Sequence, residues 1–315
     1  MRVVDYREGK QIPSSGSVVA LGLFDGVHIA HRELIARAVE LARERGLSSA
    51  VFTFPSESRA LKRGRARLYS TKQRLDLISR LGVDICAVAD FDSISAFSPE
   101  KFVRDCLIRD MNAELTVAGF NFRFGKGAEA GAAELISLMR AHGKGGETRA
   151  EVTFDGAPLS TSLVREYLET RRIEEAWSML GVPFYIEGRV ERGLHLGTDM
   201  GTPTLNLPLP AETLAPPRGV YRCAVLVGGM LYPAVTNIGV CPTLGERGAH
   251  AEAHLIGLDK PLYGEQIKIF FLGYLRDEIK FPSKKELIMQ INIDKKAALP
   301  REGEAIWTDS GLSLP

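Results

Sequence analysis

The sequence predicts an α/β domain followed by a small antiparallel β-barrel with a terminal helix. Before residue 183, short apolar runs alternate with segments of helical periodicity, which is typical of a parallel sheet covered by helices on both faces. From Phe184 onward the helical period mostly disappears, and short β-like runs separated by glycines replace it. We therefore expect domains at residues 1–182 and 183–298, with a tail at residues 299–315.

Composition places the chain among ordinary globular proteins. Its 315 residues suit two domains, and 45% are hydrophobic and 25% charged. A net charge of +1 provides no field to attract nucleic acid or an anionic membrane, so we expect neither partner. No apolar run has the length of a signal-peptide core or a membrane span, which favours a cytoplasmic chain. Four cysteines without metal-ligand spacing are interpreted as reduced thiols, mostly packed: Cys86, Cys106, Cys223 and Cys241.

The first predicted unit is a strand, a turn and a helix. Residues 17–21 form an apolar run that reads as a buried strand. Apolar residues then recur at helical spacing as far as Gly46, which stands where a helix C-cap is expected. Residues 50–54 form the next strand, which Pro55 ends.

The same alternation continues through the rest of the first half. Ser70 and Gln73 form a capping-box pattern that opens a helix, and residues 84–89 form a strand. Ser98 before a proline opens another helix, and residues 115–118 form a further strand. Later apolar periodicity predicts a helix with Leu135, Ile136, Leu138 and Met139 on one face, a helix opened by residues 159–165 and a short helix over residues 173–180. Residues 142–146 are predicted to be a flexible connection.

Two histidines lie at the first strand-to-helix turn. His28 and His31 are three residues apart, at the start of the helix, where unpaired N–H groups and the helix dipole favour an anion. Imidazoles at such a helix end can donate hydrogen bonds to phosphate oxygens as charge develops. The alternative is that both are ordinary surface histidines at a turn.

Two further segments of the first half carry residues suited to a nucleotide. Residues 119–127, directly after a strand, combine three glycines, three aromatics and two cations. Glycines allow a ligand close to the backbone, aromatic rings can flank a planar ring, and an arginine can pair with a phosphate. Ser160, Thr161 and Ser162 open a helix, with Arg165 one turn after Thr161. The alternatives are a turn with an aromatic cluster and a set of helix caps.

The second half has the pattern of a barrel. Strands are predicted at residues 184–186, 220–227, 230–235, 252–256 and 266–272, with a hairpin turn at Gly228-Gly229. Ser283 and Glu286 form a second capping-box pattern and open a terminal helix.

Oxygen-bearing side chains of the second half suggest a metal–phosphate site. Alternation in an extended segment puts Thr204 and Asn206 on one side, and neutral oxygens of this kind hold Mg²⁺ when phosphates supply the rest of its shell. Glu252 heads an apolar strand and could accept a proton from a substrate hydroxyl. The alternative for Glu252 is a solvated strand end. Spaced glycines precede the pair: Gly193, Gly197 and Gly201.

Taken together, the motifs resemble the bacterial bifunctional riboflavin kinase/FAD synthetase family over nearly the whole chain. No single motif is specific, whereas their order and spacing are. The first half carries Gly22-x-Phe24-Asp25-Gly26-Val27-His28-x-x-His31, Gly119-x-x-Phe122-Arg123-Phe124-Gly125 and Ser160-Thr161-Ser162-x-x-Arg165. The second half carries Gly201-x-Pro203-Thr204-x-Asn206, Arg218-Gly219-Val220-Tyr221, Asn237-Ile238-Gly239-x-x-Pro242-Thr243, Glu252-x-His254, Leu262-Tyr263-Gly264 and Leu275-Arg276-x-Glu278-x-Lys280-Phe281.

The resemblance implies two reactions with ATP. The C-terminal barrel would transfer the γ-phosphate to the ribityl 5′-hydroxyl of riboflavin, giving FMN, with Thr204 and Asn206 holding Mg²⁺ and Glu252 as base. An N-terminal Rossmann-like nucleotidyltransferase domain would join the FMN phosphate to the ATP α-phosphorus, giving FAD and pyrophosphate. His28 and His31 would stabilise the phosphate charge in that step.

The resemblance also implies the binding residues. Nucleotide and phosphate contacts are implied for Gly22, Phe24, Asp25, Gly26, Gly119, Asn121, Arg123, Phe124, Gly125, Ser160, Thr161, Ser162, Arg165, Gly193, Gly197 and Gly201, and flavin contacts for Asn237 and Arg276. The expected partners are riboflavin, FMN, FAD and ATP, and the oligomeric state stays open.

The N-terminal half departs from the family pattern in several places. Phe120 and Asn121 follow Gly119 where acidic residues are common, and the hydroxyl triplet is Ser-Thr-Ser where Ser-Ser-Thr is usual. Ala30 stands where the family usually has glycine, and residues 55–58 contain no histidine where one is usual. These departures keep open a riboflavin kinase with a catalytically weak first domain. A third alternative is a flavin- or nucleotide-binding regulator without turnover, which the joint presence of Thr204, Asn206 and Glu252 disfavours.

Overall fold

The computed structural model divides into two compact units, residues 1–161 and 162–315. It describes the chain except residues 14, 57–65, 192–203, 210–211, 241–248, 259, 261 and 301–315. The domain boundary predicted after residue 182 stays a prediction. No helix in the described part of the chain is long and apolar enough to cross a membrane.

The first unit is built on a parallel six-stranded sheet. Its strand order is β1-β4-β3-β2-β5-β8, and every neighbouring pair is parallel. Two-residue strands form small antiparallel pairs beside it. The strands are β1 Arg2–Tyr6, β2 Ser17–Leu21, β3 Ser48–Thr53, β4 Ile85–Ala89, β5 Ala113–Gly119, β6 Arg123–Phe124, β7 Ala130–Gly131, β8 Gly145–Arg149, β9 Thr153–Phe154 and β10 Ala157–Pro158.

Helices connect these strands, as the alternating pattern predicts. The predicted caps are confirmed: Gly46 closes the first helix in the left-handed conformation, Ser70 and Gln73 form a reciprocal capping box, and Ser98 caps the helix that Pro99 opens. That last helix continues as a π-helical segment, Phe102–Asp110. The helices are α1 Ile29–Arg45, α2 Thr71–Ser79, α3 Phe91–Ile94, α4 Pro99–Lys101 and α5 Ala132–Ala141, with a short 3₁₀ turn at Lys126–Ala128.

The carboxyl ends of the central strands bring the predicted site segments together. Leu21 at the end of β2 pairs with Phe52 of β3 on one side and with Ala118 of β5 on the other. The turn after β2, the chain after β3 and the loop after β5 therefore leave the sheet at the same edge. Ligands of open parallel sheets bind at that edge.

The second unit is a nearly closed antiparallel barrel preceded by two helices. Its strand order is β11-β16-β13-β14-β15-β12, and a bridge between Glu191 and Asn206 joins the first strand's continuation to the last strand. The hairpin predicted at Gly228-Gly229 is present. The elements are α6 Thr161–Glu169, α7 Ile173–Leu180, β11 Tyr185–Arg189, β12 Leu205–Pro208, β13 Gly219–Val227, β14 Met230–Val240, β15 Ala249–Leu255, β16 Gln266–Arg276 and α8 Lys284–Ala298.

Three of the cysteines are buried and reduced, as predicted. Burial raises the pKa of the Cys86, Cys106 and Cys223 thiols to about 12, which leaves them unreactive at neutral pH. Cys241 lies outside the described residues, as does the predicted tail from residue 301.

Candidate functional site

The turn between β2 and α1 has an unusual backbone. Phe24 and Val27 have φ angles of 51° and 43°, in a region that side-chain-bearing residues rarely adopt, and Gly26 has 90°. A Cβ at Gly26 would lie 2.7 Å from Leu68 Cδ1. Such strain persists only where surrounding contacts enforce it, and it concentrates at functional sites.

Side chains from other parts of the unit hold every second carbonyl of this turn. Because these peptide bonds are trans and planar, the N–H that follows each held carbonyl points the opposite way. The amides of Phe24, Gly26 and His28 therefore point away from the holding side chains, beside the N-terminus of α1. The held carbonyls are Leu23 (from Thr53 Oγ1 at 3.1 Å and from Arg74 Nη1), Asp25 (from Thr161 Oγ1 at 2.6 Å) and Val27 (from Arg32 Nε at 3.0 Å).

The two histidines form a stacked pair at this helix end. His28 occupies the N-cap position of α1 without a capping side-chain bond, and its ring lies 3.6 Å from that of His31, centroid to centroid. The edge-on ring of Phe24 contacts His31 at 5.3 Å. Among the described residues, neither buried Nδ1 atom has a hydrogen-bond partner. The pair is therefore available to a ligand, and the predicted proximity of the histidines to the helix end is confirmed.

Burial keeps both imidazoles neutral at physiological pH. It lowers the pKa of His28 to about 4. The pKa of His31 is also well below its usual value, first because of burial and then because protonated His31 would repel protonated His28 and the Arg74 guanidinium. A neutral imidazole donates one hydrogen bond, so the pair can contact phosphate oxygens without bringing fixed positive charge.

The free energy of unfolding of the first unit is expected to fall as pH drops from 6.5 towards 4. In that window the unfolded chain takes up protons on imidazoles that stay neutral in the folded state. A pKa of about 4 in place of 6.5 makes His28 alone worth about 3 kcal/mol above the window. Denaturant titration of H28N should show a weaker pH dependence than the wild type, whereas H142N, which replaces an exposed histidine, should not. Equal pH dependence in H28N and wild type would contradict this.

An aromatic cavity opens beside the turn. It has a volume of about 260 Å³ and includes Leu21, Gly22, Arg123 and Gly125 in its wall. Within it, Phe122 and Phe124 stack with centroids 5.7 Å apart. The other aromatic rings in the wall are those of Phe52, Phe54, Phe91 and Phe102. A planar ring compound is the ligand that such a slot accommodates.

The loop after β5 carries the remaining predicted residues of this edge. Asn121 Oδ1 lies 3.4 Å from where a Cβ of Gly119 would be, so the glycine leaves room for this side chain. Gly125 has a φ of 78° and its Cβ would meet Pro99 at 2.8 Å. Arg123 donates to the carbonyls of Ala128 and Glu129, so its guanidinium also braces its own hairpin.

The predicted hydroxyl triplet falls at the division between the units. Ser160 and Thr161 end the first unit, and Thr161 is engaged by the Asp25 carbonyl as described above. Ser162 and Arg165 belong to the second unit, where Arg165 is buried in α6.

The second unit contains a larger cavity on one face of the barrel. Its volume is about 430 Å³, within the range of small-molecule sites. Polar groups in its wall include Thr204, Asn237, Glu252 and His254. The apolar part of the wall consists of Val220, Val235, Ile279, Phe281, Leu287 and Ile291.

Three predicted residues form one row across adjacent strands. Glu252 of β15 is directly opposite Asn206 of β12 on one side and Asn237 of β14 on the other. Residues in register across strands project on the same face, so the two amides flank the carboxylate. His250 Nε2 lies 3.0 Å from Glu252 Oε1. The isolated acid predicted at a strand end is thus the centre of a polar row at the cavity.

A hydrogen bond that was not predicted fixes the amide of Asn237. Its Nδ2 donates to Glu278 Oε1 at 3.1 Å. An ionised carboxylate only accepts, so the amide nitrogen must face Glu278 and the oxygen must face away. That buried Oδ1 has no partner among the described residues. It is an acceptor available to a donor group of a ligand.

Arg276 lines the cavity and is also held by protein side chains. Its Nη2 lies 2.7 Å from Asp294 Oδ2, and Gln290 donates to the same carboxylate at 2.9 Å. This bidentate pair, of which Asp294 is buried and Arg276 partly exposed, ties α8 to the end of β16, and both partners line the cavity.

The structure describes both residues that were predicted to hold Mg²⁺, Thr204 and Asn206. Thr204 lines the cavity, and Asn206 takes its place in the polar row. In the part of the chain that the structure describes, no three His, Cys, Asp or Glu side chains are grouped to hold a metal ion by themselves. The predicted glycines Gly193, Gly197 and Gly201 lie outside the described residues.

Comparison with known families gives two matches that divide the chain. The model of the FAD synthetase family matches residues 10–163, and the model of the riboflavin kinase family matches residues 180–300.

Curated relatives match almost end to end. The bifunctional riboflavin kinase/FMN adenylyltransferase of Bacillus subtilis is 35% identical over 292 residues, covering 90% of this chain and 92% of its own. That of Escherichia coli K12 is 34% identical over 296 residues, with coverages of 91% and 93%. A crystal structure described as a macrolide-efflux protein from Streptococcus pneumoniae superimposes with a TM-score of 0.86 at 26% identity, over 95% of this chain and 99% of the other. That likeness is one of fold.

Proposed function

The chain belongs to the family of bifunctional riboflavin kinases/FMN adenylyltransferases, and from that premise we propose which of its residues carry each reaction. The protein phosphorylates riboflavin to FMN with ATP and adenylylates FMN to FAD with release of pyrophosphate. The observation that carries the assignment of the kinase site is the row Asn206–Glu252–Asn237 in register at an apolar cavity.

Glu252 is the base of the kinase reaction in this proposal. It accepts the proton of the ribityl 5′-hydroxyl as that oxygen attacks the γ-phosphorus of ATP, and the bond to the β-phosphate oxygen breaks. His250, 3.0 Å from the carboxylate, orients it. The flavin ring packs against the apolar wall, and Asn237 Oδ1 accepts a hydrogen bond from the substrate. Arg276 supports flavin binding by holding α8 at the cavity.

Thr204 and Asn206 are the proposed Mg²⁺ ligands. Their neutral oxygens beside a carboxylate fit the all-oxygen shell that Mg²⁺ prefers, which the phosphates of ATP complete. A bound Mg²⁺ would neutralise charge on the transferred phosphoryl group. Glycines 193, 197 and 201 stay predicted nucleotide contacts.

Replacing Asn206 by Ala tests this assignment. The Mg²⁺ concentration that half-saturates FMN formation is expected to rise roughly tenfold, which corresponds to the loss of about 1.4 kcal/mol of binding. The Mg²⁺ dependence of FAD formation from FMN should not change. Asn292→Ala, at an exposed position of α8, is the matched control. An unaltered Mg²⁺ dependence of FMN formation in N206A would exclude Asn206 as a ligand.

The first unit is the proposed site of adenylyl transfer. The flavin ring occupies the aromatic cavity, and ATP phosphates lie against the amides of Phe24, Gly26 and His28 at the start of α1. An oxygen of the FMN phosphate then bonds to the α-phosphorus, and pyrophosphate leaves. His28 and His31 donate hydrogen bonds to the charge that develops. The loops around this site supply the other proposed nucleotide contacts, which are Gly22, Asp25, Gly119, Asn121, Arg123, Phe124 and Gly125.

The hydroxyl segment stays a predicted phosphate contact. Ser160, Ser162 and Arg165 are proposed to bind the departing phosphates, and Thr161 supports the Asp25 carbonyl. We also propose a cytoplasmic location, which agrees with the use of ATP and with the buried, reduced thiols Cys86, Cys106 and Cys223.

A further inference from the structure

A buried arginine lies behind the β2–α1 turn. Arg74, on α2, is 1% exposed. Its Nε contacts Ser56 Oγ at 3.1 Å, Nη1 donates to the Leu23 carbonyl and Nη2 to the Phe54 carbonyl. Leu23 follows β2 and Phe54 follows β3. The guanidinium therefore joins the ends of two neighbouring strands at the edge of the sheet that carries the candidate site.

Burying a charged side chain at this position costs free energy. Removing a cation from water costs several kcal/mol unless hydrogen bonds compensate, and an apolar residue of similar volume would avoid that cost. What arginine adds is a planar fork of donors in fixed geometry, together with a permanent charge. Both properties point towards the turn, because the Leu23 carbonyl directly precedes the strained residue Phe24.

Phe24 relates this contact to the histidines. Its ring packs edge-on against His31 at 5.3 Å, with 84° between the ring planes. Fixing the peptide plane between Leu23 and Phe24 fixes both the direction of the Phe24 amide and the base of that ring. Thr53 Oγ1 donates to the same carbonyl at 3.1 Å, so the peptide is held from two sides.

We propose that Arg74 is a positioning residue for adenylyl transfer, holding residues 23–27 in the shape that presents backbone amides and the histidine pair to the phosphates. The proposal rests on the assignment of FMN adenylylation to this site. The positive charge of Arg74 has a second consequence. A buried cation behind the turn stabilises the negative charge that develops on the phosphates. The same charge lowers the pKa of His31, after burial and His28.

Two substitutions separate geometry from charge. Lysine at position 74 keeps the charge but cannot bridge both carbonyls, so R74K should lower kcat for FAD formation from FMN about tenfold. R74M removes both, and should lower kcat about 100-fold while raising the pKa of His31, followed by NMR of its imidazole. FMN formation from riboflavin in the same polypeptide serves as the reference activity. R80M, at an exposed arginine of the same helical segment, is the matched control.

The outcomes distinguish the inference from the site assignment. Wild-type kcat for FAD formation in R74M and R74K, alongside a large loss in a His31 variant, would overturn the role of Arg74 and leave the site intact. Unchanged activity in the His31 variant as well would refute the site. If R74M does not fold, two other variants test the same arrangement. T53V removes the hydrogen bond from Thr53 to the Leu23 carbonyl, and S56A removes the one from Arg74 to Ser56, and each should lower kcat for FAD formation several-fold. Unchanged kcat in both would equally overturn the inference.

Discussion

Replacing Glu252 by Gln is expected to slow riboflavin phosphorylation by about 10²- to 10⁴-fold, the usual contribution of a positioned general base. Glutamine has the same shape and can keep a hydrogen bond to His250, but it cannot take the proton of the 5′-hydroxyl. The loss should appear in kcat, because the apolar wall that binds the flavin ring is unchanged. Chromatographic resolution of FMN from riboflavin measures it.

The other activity of the chain provides the control for this variant. E252Q supplied with FMN should form FAD at the wild-type rate, since Glu252 is not among the residues proposed for that step. E265Q, at an exposed glutamate of the second unit, should retain FMN formation. FMN formation by E252Q within threefold of wild type would remove Glu252 from the mechanism.

Replacing His31 by Asn is expected to reduce FAD formation from FMN by about 10²- to 10³-fold, as removal of one preorganised donor to a developing charge does. The imidazole stacks on His28 and meets the edge of Phe24, so its donor is fixed in place before substrate arrives. The asparagine amide has no atom at the position of the imidazole Nε2 and cannot stack on His28 as a ring does. Formation of FMN from riboflavin should be unaffected.

H142N is the matched control, because His142 is an exposed histidine of the same unit. It should form FAD at the wild-type rate. If H31N formed FAD at that rate too, the histidine pair would not act on the phosphates. A variant that lost both activities would indicate general unfolding, which the FMN assay detects.

Much of the fold was predictable because its signals are local. The buried strand before His28, the capping box at Ser70 and Gln73 and the Gly228-Gly229 hairpin each depend on a few adjacent residues. Ser283 likewise caps α8 by accepting from the Glu286 amide. The parallel topology followed from the regular alternation of strand and helix.

Elements at the sheet edges gave no such signal. Strand β1, Arg2–Tyr6, has charged residues at its first and fourth positions and is largely exposed, so no alternation marks it. The prediction of a flexible connection over residues 142–146 was wrong, since β8 begins at Gly145. Its glycines suit a linker, but a Cβ at Gly146 would lie 3.0 Å from Ile136, so close packing against α5 requires glycine there.

The candidate site residues also fall into two groups, those that the sequence indicates and those that only the fold reveals. Glu252, Asn206 and the two histidines could be proposed as site residues from the sequence because their residue types stand in short motifs. Arg74 and Glu278 were not, because each acts through a contact made only in the fold: Arg74 on the Leu23 carbonyl and Glu278 on Asn237. An arginine in a helix face otherwise reads as a solvated charge.

The most direct measurement is a product assay on the wild-type protein with riboflavin, ATP and Mg²⁺, resolving FMN from FAD over time. The proposed division of labour predicts that FMN rises first and is then converted to FAD, with Ala30 tolerated in the first unit. FMN that accumulates without FAD would contradict the account of the histidine site. The absence of any phosphorylated flavin would contradict both sites.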